Sequence, residues 1–100
     1  MARIFLTNIA KREIREIARF SRLQWGTAQR DRYLTALEEK LALLAARPAL
    51  GRPRDDIGAG LRSALCGRHL VIYRQVEDGI KVLHVVHTSR EIGDQVRDEG

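Results

Sequence analysis

Apolar and polar positions follow a strand-like period in the second half of the chain, and two breaks divide this region into three segments. The segments are Leu61–Cys66, His69–Val76 and Ile80–His87. They are separated by Gly67-Arg68 and by Asp78-Gly79, and Asp-Gly between apolar runs is typical of a two-residue hairpin turn. The pattern therefore predicts three antiparallel strands that follow one another in the sheet.

Counting residues away from two-residue turns predicts the register of these strands. Tyr73 should lie opposite Arg62 on one neighbouring strand and opposite His84 on the other. Because side chains alternate between the two faces of a sheet, these three would form a polar row. The other face would be apolar, with Leu61, Leu65, Leu70, Ile72, Leu83 and Val85. We expect the helices of the domain to cover that apolar face.

A helical period dominates the first half of the chain, after a short apolar segment at Arg3–Leu6 that predicts a first strand. Thr7 or Asn8 can cap a helix that runs to Trp25, and Gly26 ends it. Apolar or small residues at three- and four-residue steps predict its core stripe. The members of that stripe are Ala10, Ile14, Ile17, Ala18, Ser21 and Trp25.

A second helix is predicted from about Thr27 to Ala46, where Arg47-Pro48 stops it because the residue before proline avoids helical geometry. Its predicted core stripe contains Tyr33, Leu34, Leu37, Leu41, Leu44 and Ala45. The short break at Gly26 predicts an antiparallel helical hairpin. Residues 48–60 should form a loop-like connection. The tail, residues 88–100, is mostly charged, although Ile92 and Val96 allow one final helical turn.

The order of strand, helix, helix and three strands predicts an α+β fold of two layers, in one domain of 100 residues. The helical hairpin and the N-terminal strand would pack on an antiparallel sheet, in the order β-α-α-β-β-β. The chain contains neither an apolar run of membrane-spanning length nor a recognisable signal peptide. We therefore expect a soluble, cytoplasmic protein with no membrane partner.

Charge narrows the range of partners. The formal net charge is +5, with 18 basic and 13 acidic residues, and most of the basic residues are arginine. A basic domain suits nucleic acid or an acidic protein, but a GC-rich genome would give the same arginine content. Cys66 is the only cysteine, so an internal disulfide is impossible and a cysteine-based metal site is not expected. We predict that Cys66 is a small buried residue, and that the protein needs no metal or cofactor.

Two further stripes on the first helix are candidates for contact with a partner. Arginines recur at helical spacing in one of them, and Ile9, Phe20 and Leu23 form the other. The first is either a solvated face or a surface for phosphate or an acidic partner. The second is either a broad edge of the core or a protein interface. The arginines are Arg12, Arg15, Arg19 and Arg22.

Several short motifs occur in an order and spacing that together are specific. They are Trp25-Gly26, Tyr33-Leu34 followed by Leu37, Leu44-Ala45-Ala46-Arg47-Pro48, Gly51-Arg52-Pro53-Arg54, Gly60-Leu61-Arg62, Gly67-Arg68-His69, Ile72-Tyr73-Arg74 and Val82-Leu83-His84-Val85-Val86-His87. Over residues 3 to about 90 the chain resembles the ParE-type toxins of the RelE/ParE superfamily, which belong to bacterial toxin–antitoxin pairs.

The resemblance implies the fold order predicted above and a cognate antitoxin similar to ParD, with an acidic, amphipathic C-terminal segment that wraps the toxin. Toxin and antitoxin would form a hetero-oligomer that contacts DNA only through the antitoxin. The resemblance further implies that the toxin inhibits DNA gyrase and so blocks replication, by binding rather than by catalysis. It also leaves open a RelE-like endoribonuclease that cuts messenger RNA in the ribosome, or a non-toxic binding module with the same fold.

The residues favour some of these alternatives. A metal-free ribonuclease needs an acid, a base and a cation for the phosphate. The candidates here are Arg62, Tyr73 and His84, because His87 is predicted to lie on the face opposite His84. His84 stands where many family members have arginine, and Thr88-Ser89-Arg90-Glu91 lacks the tyrosine of ribonucleolytic relatives. We therefore assign no catalytic residue. Arg62 is the best candidate for a functional role, because folding alone does not explain a strand arginine on the predicted polar face next to an aromatic residue.

The resemblance also gives two sets of candidate contact residues. The antitoxin would bind Ile9, Arg12, Arg19, Phe20, Leu23, Trp25 and Leu34. The target would bind Arg62, Arg68, Tyr73, Arg74, His84, His87 and Arg90.

Overall fold

The computed structural model describes residues 2–89, which form two helices and one sheet. The elements are β1 (Arg3–Leu6), α1 (Asn8–Trp25), α2 (Thr27–Ala46), a 3-10 turn (Pro48–Leu50), β2 (Arg52–Pro53), β3 (Leu61–Cys66), β4 (His69–Val76) and β5 (Gly79–His87). The predicted α+β fold, both helices and the three later strands are confirmed. The predicted final helical turn at Ile92 and Val96 lies outside the described residues, as does Arg90.

Local chemistry accounts for the bounds of the helices. The Thr7 hydroxyl accepts a hydrogen bond from the backbone N–H of Ala10 at 3.0 Å, as an N-cap residue does. Gly26 adopts a φ of 92°, a conformation that glycine tolerates best, and its N–H donates to Arg22 O at 2.9 Å. One residue is therefore enough to end α1 and begin α2, which turns the two helices into a hairpin.

The sheet has five strands in the order β1-β5-β4-β3-β2, and it is mixed rather than wholly antiparallel. β1 runs parallel to β5, and the other neighbours are antiparallel. β2 was not predicted, because its two residues fall within the loop-like connection. Pro53 is acceptable there since β2 is an edge strand, where a missing N–H donor costs little.

The predicted register is correct between β3 and β4 but wrong between β4 and β5. Arg62 does lie opposite Tyr73, but Tyr73 faces Val82, and His84 lies opposite Ile72. The turn consists of Glu77 and Asp78, with Asp78 at a φ of 68°, so it begins one residue earlier than predicted.

Two features cause the difference in register. Gly79 belongs to β5 rather than to the turn, and a Cβ there would overlap the Arg3 carbonyl oxygen of the parallel neighbour. A β-bulge then inserts Leu83 between the pairs formed by Tyr73 and Ile72. Neither a backbone approach this close nor a bulge leaves a mark in the hydrophobic pattern.

The helices cover the face of the sheet that carries Tyr73, so the predicted choice of core face is wrong. The main core joins both helices to this face: Ala10, Leu37, Leu41, Leu44, Ala45, Cys66, Val71, Tyr73, Ile80, Val82 and Val85. Cys66 is buried as predicted. A smaller cluster on the other side contains Leu61, Ile72, Leu83 and Val86, with Ile57 and Leu70 packed against it. Leu65, predicted in the core, is 58% exposed.

The prediction fails at Tyr73 because both faces of this sheet are apolar and a tyrosine can be buried once its hydroxyl is hydrogen-bonded. Val85 joins the helix-side core because the bulge reverses which residues of β5 face the helices. Trp25, predicted in the core stripe of α1, is 69% exposed.

Candidate functional site

A groove of about 690 Å³ runs between α1, the start of α2 and the ends of β4 and β5. We call this space the groove. Its lining residues are Glu13, Glu16, Ile17, Phe20, Ser21, Trp25, Gln29, Tyr33, Gly67, Arg68, His69, Val85, Val86 and His87. The groove combines the first helix with the last described strand, so the overall fold is required to build it.

Large apolar side chains on α1 border the groove and remain exposed. Phe20 is 62% exposed and Trp25 is 69% exposed, and Leu23 on the same helix is 64% exposed. Exposed apolar side chains that are grouped on one helix face are typical of a protein interface. The arginine stripe, Arg12, Arg15, Arg19 and Arg22, is also exposed, so α1 presents both apolar and cationic surface.

Tyr33, His69 and His87 form the polar end of the groove. The Tyr33 hydroxyl donates to the Cys66 carbonyl oxygen at 2.7 Å and lies 2.5 Å from His69 Nδ1. Since a phenol has one proton to donate, its oxygen accepts from the Nδ1–H of a neutral His69. The rings of His69 and His87 meet edge to face, with 5.4 Å between centroids.

The hydrogen bonds of His87 fix its tautomer in the same way. The backbone N–H of Ser89 donates to His87 Nδ1 at 3.1 Å, so a neutral His87 carries its proton on Nε2. Burial raises the pKa of Tyr33 to about 12. Burial, and to a smaller degree His87, lowers the pKa of His69. Tyr33 and His69 are therefore uncharged at neutral pH and act as directional hydrogen-bonding groups.

Glu13 connects α1 to β5 at the other end of the groove. One carboxylate oxygen accepts from the backbone N–H of Val85 at 2.9 Å and lies 3.3 Å from His84 Nδ1. His84 itself is only 4% exposed. The pair holds the helix against the strand, so both side chains have an internal role.

Arg62 and Tyr73 hold the segment after α2 in place. The Tyr73 hydroxyl donates to Pro48 O at 2.7 Å and accepts from Gly51 N–H at 2.8 Å. Arg62 donates to Gly51 O at 2.6 Å and to Ala49 O at 3.3 Å. Burial raises the pKa of Tyr73, while the Gly51 hydrogen bond and Arg62 lower it in part. The expectation that folding does not require Arg62 is therefore wrong.

Comparison with known proteins agrees with this arrangement. Residues 4–92 match the family model described as "ParE toxin of type II toxin-antitoxin system, parDE". The chain belongs to the ParE toxin family. Membership implies an antitoxin partner, since the family is defined by toxin–antitoxin pairs.

Individual ParE relatives support the assignment. Toxin ParE1 of Caulobacter vibrioides is 31% identical over 84 residues, which cover 84% of this chain and 86% of that protein. Toxin ParE1 of Mycobacterium tuberculosis is 32% identical over 92 residues, covering 91% and 94%. A structure titled "Chromosomal ParDE TA system from P. aeruginosa" superimposes with a TM-score of 0.73 at 16% identity, covering 87% of this chain and 96% of that one. The last comparison shows that the ParE fold is shared.

The residues predicted to bind the antitoxin of this ParE protein lie together on or near α1. Phe20 and Trp25 line the groove, Arg12, Arg19 and Leu23 are exposed beside it, and Ile9 and Leu34 are half-buried. Glu13, Glu16, Tyr33 and His69 also line the groove, and none of them was predicted to contact a partner. The two-residue turn at Gly67-Arg68 was the available signal for His69, because it places His69 beside Cys66 and next to β5.

The residues predicted to bind the target are dispersed. Arg68 and His87 line the groove, whereas Arg62 contacts the segment after α2. Arg74 lies opposite Lys81 in the register of β4 and β5. Tyr73 and His84 are 0% and 4% exposed, which gives them folding roles here; contact of either with a target remains a prediction. The ribonuclease candidates Arg62, Tyr73 and His84 do not point to a common site, since the first two contact residues 48–51 and the third contacts Glu13.

Two further findings concern metal binding and membrane spanning in the described part of the protein. Within residues 2–89, no three potential ligands among His, Cys, Asp and Glu are placed to hold a metal ion. The helices described there are too short or too polar to span a membrane.

Proposed function

We propose that this ParE-family protein is a toxin that binds an acidic, ParD-like antitoxin through α1 and inhibits DNA gyrase by binding to it. The observation that carries the proposal is the exposed apolar and arginine-rich surface of α1. The antitoxin would keep the toxin inactive in a hetero-oligomer and would supply any contact with DNA. Both act in the cytoplasm.

The α1 surface supports the antitoxin interaction through two different forces. Phe20, Leu23 and Trp25 are each more than 60% exposed, and full burial of one large apolar side chain is worth about 1.5–3 kcal/mol. The four arginines beside them attract an acidic partner and speed its association. Salt should therefore slow association but leave much of the affinity, because apolar contacts are not screened.

Inhibition by binding agrees with the internal contacts of the candidate catalytic residues. Tyr73 and Arg62 are hydrogen-bonded to backbone groups of residues 48–51, and His84 lies against Glu13. A side chain committed in this way is poorly placed to move a proton on a substrate. Arg68 and His87, which line the groove, remain the best-placed candidates of the target set within residues 2–89.

The test is expression of the chain with and without the antitoxin encoded in the neighbouring reading frame. We expect growth arrest with an SOS response without the antitoxin, and normal growth with it. In vitro, the purified toxin should inhibit supercoiling by DNA gyrase and increase cleaved DNA, and added antitoxin should reverse both effects.

Other outcomes would contradict the proposal. Growth arrest with codon-linked cuts in messenger RNA, and with unimpaired supercoiling, would identify an endoribonuclease instead. Harmless expression of the folded protein would identify a binding module that has lost its target. A double variant of α1, Phe20→Ser with Trp25→Ser, should lose antitoxin protection, and an unaffected complex would show that α1 is not the interface.

A further inference from the structure

The two ends of the groove carry opposite charge. Glu16 is exposed at one end and Arg68 is exposed at the other. Glu13, next to Glu16, is occupied by Val85 N–H and His84, so Glu16 is the carboxylate available to a partner. At the Arg68 end, His87 adds an Nε2–H donor when neutral, and both donors favour a carboxylate.

Distances along β5 set the separation of these charges. Glu13, one helical turn before Glu16, accepts from Val85 N–H. His87 lies two residues further along β5, which corresponds to about 7 Å at roughly 3.3 Å per residue, and it is opposite His69, the neighbour of Arg68. A segment that spans this distance needs about five residues as a helix or about two as a strand.

We infer that the groove binds one segment of the antitoxin with a fixed order of charge: a lysine or arginine over Glu16, apolar side chains against Phe20 and Trp25, and a glutamate or aspartate at Arg68. The inference rests on the proposed antitoxin interaction. It differs from simple attraction between a basic toxin and an acidic antitoxin, because it requires a cation in the partner at one defined position. The charge order fixes the direction in which the segment lies in the groove.

The experiment measures affinity for the antitoxin of the neighbouring reading frame by calorimetry, with the full chain and two single charge reversals, Glu16→Arg and Arg68→Glu. Each should weaken binding about tenfold, because like charges meet in a partly desolvated groove. Matched controls are Glu38→Arg and Arg32→Glu, which reverse exposed charges on α2 outside the groove. The controls should change affinity by less than about twofold.

Compensating substitutions in the antitoxin should identify the antitoxin residues that contact Glu16 and Arg68. A Lys→Glu or Arg→Glu change at one antitoxin position should restore binding to Glu16→Arg, and a Glu→Arg or Asp→Arg change at a second position should restore binding to Arg68→Glu. The two positions should be separated by about five residues in a helical segment, or by about two in an extended one.

The outcomes separate this inference from the function on which it rests. Absence of binding by the wild-type chain would refute the antitoxin proposal itself. Tight wild-type binding, with groove variants no weaker than the α2 controls, would refute only the inference. Charge reversals that alter self-association would identify a second copy as the occupant. A loss of thermal stability in the isolated groove variants would identify residues of the same chain as the occupant of the groove. Either result would overturn the inference.

Discussion

Substitution of Tyr73 by phenylalanine tests how the fold depends on a single buried hydroxyl. Tyr73 is fully buried, and its oxygen joins Pro48 O at 2.7 Å to Gly51 N at 2.8 Å. The variant keeps the ring in the core but leaves a buried N–H and a carbonyl without this partner. At about 0.5–1.5 kcal/mol for each net hydrogen bond, and more where a group stays unsatisfied, the loss should be about 2–3 kcal/mol.

The assay is urea unfolding followed by circular dichroism, which gives the midpoint and the slope of the transition. The midpoint should fall at an unchanged slope, which is the mark of lost stability rather than of a changed unfolded state. For a domain of this size, the melting temperature should fall by about 10–20 °C.

Tyr33→Phe is the matched control. The Tyr33 hydroxyl also makes two contacts, with Cys66 O and His69, but it is only part-buried at the edge of the groove. Water can replace it there, so we expect a loss below about 1 kcal/mol. If Tyr73→Phe costs no more than about 0.5 kcal/mol, or no more than Tyr33→Phe, the reasoning from burial is refuted.

Arg62→Ala extends the same test, because Arg62 and Tyr73 both bind the backbone of Gly51. Arg62 donates to the Gly51 carbonyl oxygen, and the Tyr73 hydroxyl accepts from the Gly51 N–H. The double variant should show a coupling energy of about 0.5–2 kcal/mol, as groups in one hydrogen-bonded network do. Additive losses would show that the two side chains act independently. Any loss of toxicity in Arg62→Ala must then be compared with its loss of folded protein.

Three further predictions concern the contact between β1 and β5, the buried His69 and the exposed face of α1. Gly79→Ala should separate β1 from β5, because a Cβ would overlap Arg3 O. It should cost more stability than Gly60→Ala, where a Cβ meets nothing within 4 Å and the cost is limited to the backbone strain of a φ of 77°. Equal losses would contradict the close approach. Burial lowers the pKa of His69 below its usual value, so the unfolded chain takes up a proton more readily than the folded one. The free energy of unfolding should therefore be highest above about pH 6.5 and decline as the pH falls through the folded pKa. Urea unfolding at about pH 7.5 and about pH 5 should show a smaller decline in His69→Asn than in the wild type, and equal declines would exclude His69 as the cause. Trp25→Ala should leave the urea midpoint unchanged but weaken the antitoxin complex at least tenfold by calorimetry, and unaltered affinity would exclude Trp25 from the interface.

The sequence predicted what depends on local pattern. The bounds of α1 and α2 follow from Thr7, Gly26 and Pro48, and the three later strands follow from their apolar periods and turns. The exposed members of the α1 stripe, Phe20 and Leu23, could be selected as interface candidates for the same reason.

What the sequence could not predict depends on contacts between distant residues. The bulge at Leu83 and the parallel approach of Arg3 to Gly79 set the register of β5, and neither is a property of one segment. The roles of Arg62 and Tyr73 arise from carbonyl and amide groups of residues 48–51, which have no side-chain signature. The groove was missed for a related reason, since it exists only where α1 meets the ends of β4 and β5.

The pairing of the first strand with the last has a consequence for how the protein comes to be recognised. Thr7 Oγ1 donates to Leu83 O at 2.9 Å, across 76 positions of sequence. Contacts this remote form late and slowly, whereas the helical hairpin is local and can form early. A partner that binds only the helical hairpin would also bind partly folded chains. A partner that occupies the space between α1 and β5 can bind only after the sheet has formed. Such a partner would bind only molecules that have finished folding.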